Sequence, residues 1–465
     1  MFAKETYAQR REQLTKTLGS GICLFLGNDE CGMNYEGNTY DFRQDSTFLY
    51  YFGLPYVELN AIINIDEDET IIFGDEISID HIVWMGTQPT LKEKSERVGV
   101  QKVLPSAQLP TYLRAVQAKG QPIRFLPTYR AEHKLKLMEW LSLSVPQQTP
   151  SVDFIRAVVN MRNYKTEEEV AEIEKACRIT ADMHIAAIHA VREGMKEYEV
   201  VAVIDAVATA AGARLSFPTI ATINGQILHN HYHGNTIQAG DMCLIDAGAE
   251  TEMGYAGDMS STVPAGARFT SRQKEVYDIQ VASHLAAVEA LRPGVYFSDV
   301  YDLSAKIICE GMKSLGLMKG DIEEAVQLGA HAMFFPCGLG HMMGLDVHDM
   351  ENLGEVWVGH DGQPKSTGFG RKSLRLARKL EPGFVLTIEP GIYFIPELID
   401  LWKAEKKFSQ FIDYERLEDY RHFGGIRNEE DYLITATGAH LLGKKIPLTT
   451  DEVETMRINY ERSLM

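Results

Sequence analysis

Ala190-Val191-Arg192-Glu193-Gly194, followed by Glu199-Val200, and Ala290-Leu291-Arg292-Pro293-Gly294, followed by Asp299-Val300, are one pattern written twice, one hundred positions apart. Each is a helix stop closed by glycine ahead of a second apolar-periodic segment. The helices leading into them also begin alike. Thr166-Glu167-Glu168-Glu169 has the Thr-x-x-Glu form of a capping box, and Val170, Ile173, Cys177, His184, Ile188 and Val191 follow at three- and four-residue steps, which predicts a long amphipathic helix. Thr270-Ser271-Arg272-Gln273 opens a second one through Val276, Ile279 and Leu285 to Leu291. A Phe-Pro pair recurs in each half, at Phe217-Pro218 and Phe335-Pro336. So long an offset points to duplication of a helix-helix-strand unit and not to a solenoid, whose periods run about 20–50 residues. The alternative is coincidence among common helix-stop residues; the acidic residues that follow each half weigh against it.

Outward from this duplication the chain reads as α+β. Residues 1–150 alternate short apolar runs with helical patterns, an α/β domain whose candidate strands are Ile22-Cys23-Leu24-Phe25-Leu26, Ala61-Ile62-Ile63-Asn64-Ile65 and Thr70-Ile71-Ile72-Phe73. The polar Ser144-Val145-Pro146-Gln147-Gln148-Thr149-Pro150 has two prolines and no periodicity and reads as a linker, leaving 151–465 to the duplicated domain. With 46 Lys and Arg against 65 Asp and Glu the formal charge is −19, the wrong sign for holding a nucleic acid. At 45% hydrophobic and 24% charged residues the composition is that of a globular protein. Met1-Phe2-Ala3-Lys4-Glu5 is charged where a secretory signal would be apolar, and no apolar run approaches the ~18–20 residues of a membrane span. The expectation is a cytoplasmic protein with no membrane partner. Six cysteines scattered without a C-x-x-C pair fit reduced thiols.

The chemistry follows each half. After the first come Met242-Cys243-Leu244-Ile245-Asp246 and, past a polar turn, Tyr255-Ala256-Gly257-Asp258. They read as a hairpin, and an even separation along paired strands directs both carboxylates to one face when no bulge intervenes. A carboxylate among buried strands is costly unless paired or bound to a metal, although an Asp pair taken alone reads as two turn residues. In the second half Gly338-Leu339-Gly340-His341-Met342-Met343-Gly344-Leu345-Asp346-Val347-His348-Asp349 sets two histidines among glycines, where small residues permit close backbone approach. Phe384-Val385-Leu386-Thr387-Ile388-Glu389-Pro390-Gly391 is a strand ending in a carboxylate, and Gly424-Gly425-Ile426-Arg427-Asn428-Glu429 leads into another. Singly, these are a core histidine, a capping acid and an exposed acidic run. Together, four carboxylates and an imidazole spread over both halves suit hard or borderline divalent ions such as Mn²⁺, Co²⁺, Mg²⁺ or Zn²⁺. Two such ions about 3.5–4 Å apart would neutralise the acids, lower a water's pKa toward 7 and hold an attacked carbonyl.

The segments around Asp246, Asp258, His341, Glu389 and Glu429 resemble the five-ligand pattern of the pita-bread dinuclear metallopeptidases, specifically the aminopeptidase P and prolidase branch, and Phe42-Arg43-Gln44-Asp45-Ser46-Thr47-Phe48-Leu49-Tyr50 resembles its amino-terminal domain. The resemblance implies a pita-bread catalytic domain behind a smaller creatinase-like α/β domain. It further implies that Asp246 holds one metal, that Asp258 and Glu429 bridge both, and that His341 and Glu389 complete the site. Manganese is the metal implied, with a metal-bridging hydroxide as nucleophile and Glu389 as proton shuttle. His229 and His348 match the non-ligand histidines that contact substrate, and Tyr393 and Arg427, counted with them as substrate-binding, match positions at or just behind the metals; His229, His348 and Tyr393 are the candidate walls of a pocket for the proline ring. A homo-oligomer, dimer or tetramer, is implied as well.

The chain departs from the family at Cys337, where a histidine or small residue is usual, and at Met343; both bear on substrate contacts and not on the metals. Cys337-x-x-x-His341 also offers a zinc reading, and His229-x-His231-x-His233 would put three imidazoles on one side of a strand; His231 and His233 are read instead as loop histidines. The leading expectation is an Xaa-Pro aminopeptidase acting on peptides with proline second. A prolidase confined to Xaa-Pro dipeptides, a peptide-binding pseudo-peptidase and a non-peptidase amidinohydrolase are the alternatives.

Overall fold

Both predicted helix starts form. In the structure, a computed structural model that describes residues 1–463, the Thr166 hydroxyl accepts from the Glu169 N–H while the Glu169 carboxylate returns to Thr166, and helix Glu167–Ala190 follows. Thr270 and Gln273 do the same ahead of Ser271–Ala290. Each helix stops before a glycine in the left-handed region, Gly194 at φ 87° and Gly294 at φ 90°, a conformation that favours glycine. The second helices of the halves, Glu197–Ala210 and Phe297–Ser314, start beyond those turns. The duplication read from the chain is therefore one of backbone as well as residues.

The strands fall into the same halves. Met242–Ala247 pairs antiparallel with both Met259–Pro264 and Ile220–Thr222. In the second half Val385–Ile388 pairs with Glu430–Ile434, which pairs with Ala439–Leu441, and Gly391–Tyr393 pairs with Gly425–Arg427. Helix Glu167–Ala190 packs on the first set and Ser271–Ala290 on the second. His184 shows the packing chemistry: fully buried, its ring bonds Ser261 Oγ at 2.8 Å and the Ala247 carbonyl at 3.2 Å. It is a satisfied core histidine.

The described chain divides into two compact units, residues 1–162 with 350–357, and residues 163–349 with those from 358 onward. In the first, Ile22–Leu26 runs antiparallel to Asn60–Asn64 and parallel to Ile123–Arg124, while Glu69–Phe73 links Asn60–Asn64 to Lys102–Leu104. The three candidate strands are thus the centre of a mixed five-stranded sheet. Ile22, Leu24, Ile62, Ile71 and Phe73 pack there with Leu109, Leu113 and Leu137. Helix Val152–Arg162, just past the proline-containing stretch, counts with this unit.

Two glycines let the acid-bearing strands of the second unit close up. A Cβ on Gly340 would lie 2.0 Å from the Thr387 carbonyl oxygen, and one on Gly248 would lie 1.9 Å from that of Gly257. In both cases the obstacle is backbone, which cannot swing aside. Gly340→Ala is therefore expected to lower unfolding stability by about 1–3 kcal/mol or more, measured by denaturant titration; a change below ~0.5 kcal/mol would show that residues 339–343 do not sit against Val385–Ile388 as described.

Candidate active site

Register carries the five expected residues to one face. The first hairpin sets Asp246 directly opposite Ser260, and opposed side chains point the same way, as do residues two apart on a strand. Asp258, two before Ser260, shares that face. Ser260 in turn bridges Glu429, whose N–H donates to the Ser260 carbonyl at 3.0 Å. Ile388 lies opposite Glu430, so Glu389, the next residue, comes level with Glu429. Residues 339–343 run against 385–389, with Glu389 N–H on the Leu339 carbonyl at 2.8 Å and Thr387 N–H on that of His341 at 3.0 Å. His341 thus stands opposite Thr387, two residues from Glu389.

Donor atoms of Asp258, His341 and Glu429 lie within 4.8 Å of one another, all buried. His341 Nε2 is 3.3 Å from Asp258 Oδ2 and 3.8 Å from Glu389 Oε1. Its Nδ1 lies 3.1 Å from the Met342 carbonyl; with the N–H committed there, Nε2 turns a lone pair toward two carboxylates. Lone pairs facing one another at such distances need a cation or proton between them. Asp246 stands outside the tight group, one oxygen taken by Arg427. Asp246 Oδ1 and Asp258 Oδ1 are buried with no hydrogen-bond partner, as expected of oxygens built to hold a metal. The residues fit a divalent-ion site.

Arg427, 4% exposed, spreads its guanidinium over Asp246 Oδ2, Ser260 Oγ at 2.9 Å and Tyr393 Oη at 3.0 Å. Ser260 Oγ donates onward to Glu429 Oε2 at 2.7 Å. Arg427 is thus bonded to one of the acids directly and to another through Ser260. Tyr393 is fully buried. The His348 ring stands edge-on to His341, centroids 4.3 Å apart. His229 is exposed and lies in irregular backbone, so the strand that would align His229, His231 and His233 does not form.

Among the described residues this is the one group of three or more close metal-ligating side chains. Cys337 is outside it, with Sγ 4.0 Å from Tyr393 Oη and a pKa pushed up to about 12 by burial and then by Glu389.

Three contributors escaped the sequence reading. Ser260 links Arg427 to Glu429. Arg375, half-buried, lies near enough for its charge to act on Glu389, His229 and His341; its place between buried Leu374 and Leu376 was the available signal. Lys165 Nζ meets Asp349 Oδ2 at 2.9 Å with both side chains 1% exposed, an anchor beside His348.

Burial, then the charges of Glu429 and Asp246, holds the Asp258 carboxyl well above its usual range. Burial, then Glu389 and Asp246, does the same for Glu429. Burial also raises Glu389, against the pull of Arg427 and Arg375. The folded metal-free chain therefore keeps protons that the unfolded chain gives up near the ordinary carboxyl range. Its stability should fall as pH rises from that range through the raised values. His341, lowered chiefly by burial, acts oppositely below its ordinary 6.5. Asp258→Asn removes one raised carboxyl and leaves His341, so thermal unfolding of the metal-stripped protein between pH 5 and 8 should show a shallower decline than wild type. Added Mn²⁺ should stabilise wild type more at pH 8 than at pH 5; equal slopes and a pH-independent metal effect would contradict these shifts.

Comparison with known proteins gives the same assignment from outside. Residues 7–123 match the amino-terminal domain of aminopeptidase P, and residues 171–436 match metallopeptidase family M24. The chain is 32% identical over 474 residues to the Xaa-Pro dipeptidase of Homo sapiens, covering 96% of this chain and 92% of that protein. It is 31% identical over 476 residues to the Xaa-Pro aminopeptidase of Escherichia coli strain K12, covering 98% of both. In structure it is similar to E. coli aminopeptidase P bound to the inhibitor Pro-Leu, with a TM-score of 0.80, 28% identity and 99% of each chain covered. The M24 match runs from ahead of Asp246 to beyond Glu429, so that the converging acids and the histidine all fall inside it, and the chain belongs to metallopeptidase family M24.

Proposed function

We propose that this metallopeptidase is an Xaa-Pro aminopeptidase, removing the first residue of peptides whose second is proline. The observation that carries the reading is the buried convergence of Asp258, His341 and Glu429 beside carboxylate oxygens that no protein donor satisfies. Relatives named for this activity, and for the dipeptidase activity on the same bond, stand at about equal identity.

In this reading Asp246, Asp258, His341, Glu389 and Glu429 would hold two divalent ions, with manganese favoured by the oxygen-rich donor set. When bound, such a pair lowers the pKa of water and polarises the scissile carbonyl. The chain's own residues do the rest. Glu389 is the proton carrier: its side chain is 20% exposed, the most open of the acids, and its raised pKa suits it to take a proton from the attacking water and deliver it to the proline nitrogen. Partial desolvation of a side chain that keeps an open surface, then Arg427, lowers the pKa of His229, so a neutral imidazole is available there to contact substrate. His348, at the cleft beside His341, takes the developing negative charge of the attacked carbonyl. Arg427 and Tyr393 hold Asp246 and Glu429 in place, the latter through Ser260.

Six free cysteines support a reducing, cytoplasmic setting, and no helix among the described residues is long and apolar enough to cross a membrane. The apolar helix Ile79–Met85, with Trp84 85% exposed, supports association into a homo-oligomer.

The test is hydrolysis of an Xaa-Pro-Yaa tripeptide with Mn²⁺. Asp258→Ala should reduce turnover by about a thousandfold, roughly 4 kcal/mol of barrier; equal activity would reject the assignment. A series from dipeptide to tetrapeptide separates the second reading, since cleavage of Xaa-Pro dipeptides alone would make the chain a prolidase.

A further inference from the structure

Between the two second-half glutamates the β ladder is interrupted. Val385–Ile388 pairs with Glu430–Ile434 on one side, and Gly391–Tyr393 with Gly425–Arg427 on the other. The intervening residues are Glu389 and Pro390 on one strand and Asn428 and Glu429 on its neighbour. The N–H groups of the two glutamates turn out of this gap: Glu389 donates to the Leu339 carbonyl at 2.8 Å and Glu429 to the Ser260 carbonyl at 3.0 Å. The carbonyls of Pro390 and Asn428 turn to a helix. Gln280 Nε2, on Ser271–Ala290, donates to the Pro390 carbonyl at 2.7 Å and to the Asn428 carbonyl at 3.4 Å.

The same amide is fixed from its other end. Gln280 Oε1 accepts from Asn428 Nδ2 at 2.6 Å, and Asn428 Oδ1 accepts from Tyr277 Oη at 2.9 Å and from the Thr262 N–H at 3.3 Å. Gln280 and Tyr277 are fully buried and Asn428 is 2% exposed. One side chain thus grips the residue just after Glu389 and the residue just before Glu429. A primary amide suits the task because it carries two donors for two carbonyls and an acceptor for the asparagine. The first half has a counterpart one hundred positions earlier: Thr180 Oγ1 accepts from the Ala249 N–H at 2.9 Å, three residues past Asp246.

The geometry points to Gln280 as a positioning residue for the Glu389–Glu429 pair, holding the two acidic backbone segments at a set separation where no ladder holds them. The assignment rests on the metal-site reading above. Replacing Gln280 by an apolar residue of similar size fills the space but leaves two buried carbonyls without a donor. They can recover one only by moving the strands, and the carboxylates move with them.

The test titrates Mn²⁺ calorimetrically into metal-stripped wild type, Gln280→Leu and Gln280→Glu, with Ser283→Ala as control. Ser283 is on the same helix and equally buried, and its hydroxyl bonds Ser304. Gln280→Leu should weaken Mn²⁺ binding about tenfold, the lower end of what removing the support of a metal ligand costs. It should also reduce kcat on the tripeptide with KM within twofold. Gln280→Glu, which sets an anion against the two carbonyls, should weaken binding further. Ser283→Ala should lower the melting temperature of the metal-free protein without changing affinity or kcat. Should Gln280→Leu not fold, Gln280→Met gives the same readout with an unbranched chain. Affinity and kcat within twofold of wild type would overturn the assignment. If wild type itself binds no Mn²⁺, the metal-site reading falls and the positioning role with it, a failure visible before any substitution is made.

Discussion

Four carboxylates share one largely buried face with a single buried guanidinium among them, and the rest of the second unit is arranged around that excess of negative charge. Taking an ionised carboxylate out of water costs several kcal/mol even after relaxation, so the acids must be protonated, paired or bound to cations. Arg427 answers part of the demand through Asp246 and, by way of Ser260, through Glu429. What is left over are unsatisfied carboxylate oxygens and an imidazole nitrogen turned toward them. The site is costly to keep empty, and that cost ties ion binding to the stability of the fold.

Duplication explains how so much charge of one sign comes together. Each half offers an acid at the end of one strand and another at the start of the strand that returns beside it: Asp246 and Asp258 around the first hairpin, Glu389 and Glu429 around the second. The connection is short in the first half. In the second it is an excursion containing helices Pro396–Ala404 and Tyr414–Leu417. The helices behind the strands keep the correspondence. His184 reaches Ser261 and His284 reaches Glu430 at 3.0 Å, each imidazole bonding a residue close behind the second acid of its half. Neither half alone encloses a site, since the Ser260–Glu429 bridge joins one to the other.

Much of this was legible in the chain because it is local. The Thr166–Glu169 and Thr270–Gln273 boxes are three-residue signals, and the glycine stops are single positions needing positive φ. The four acids and the histidine stood out because carboxylates in apolar strands require a reason. The polar contacts that make the site work did not stand out. Ser260, Gln280 and Asn428 are ordinary polar residues whose importance comes from a register and a helix crossing, which no spacing encodes. Arg427 was placed near the reaction but not yet turned toward Asp246, while His231 and His233, read as loop histidines in spite of their alternation with His229, do lie in irregular backbone. Lys165 and Asp349 sit far apart in sequence, and nothing nearby in either stretch hints at the other.

The return of residues 350–357 to the first unit has a temporal consequence. During synthesis at ~5–20 residues per second, these residues leave the ribosome about 10–40 s after Arg162. The unit that begins the chain therefore waits through most of the translation of its successor before its last segment is available.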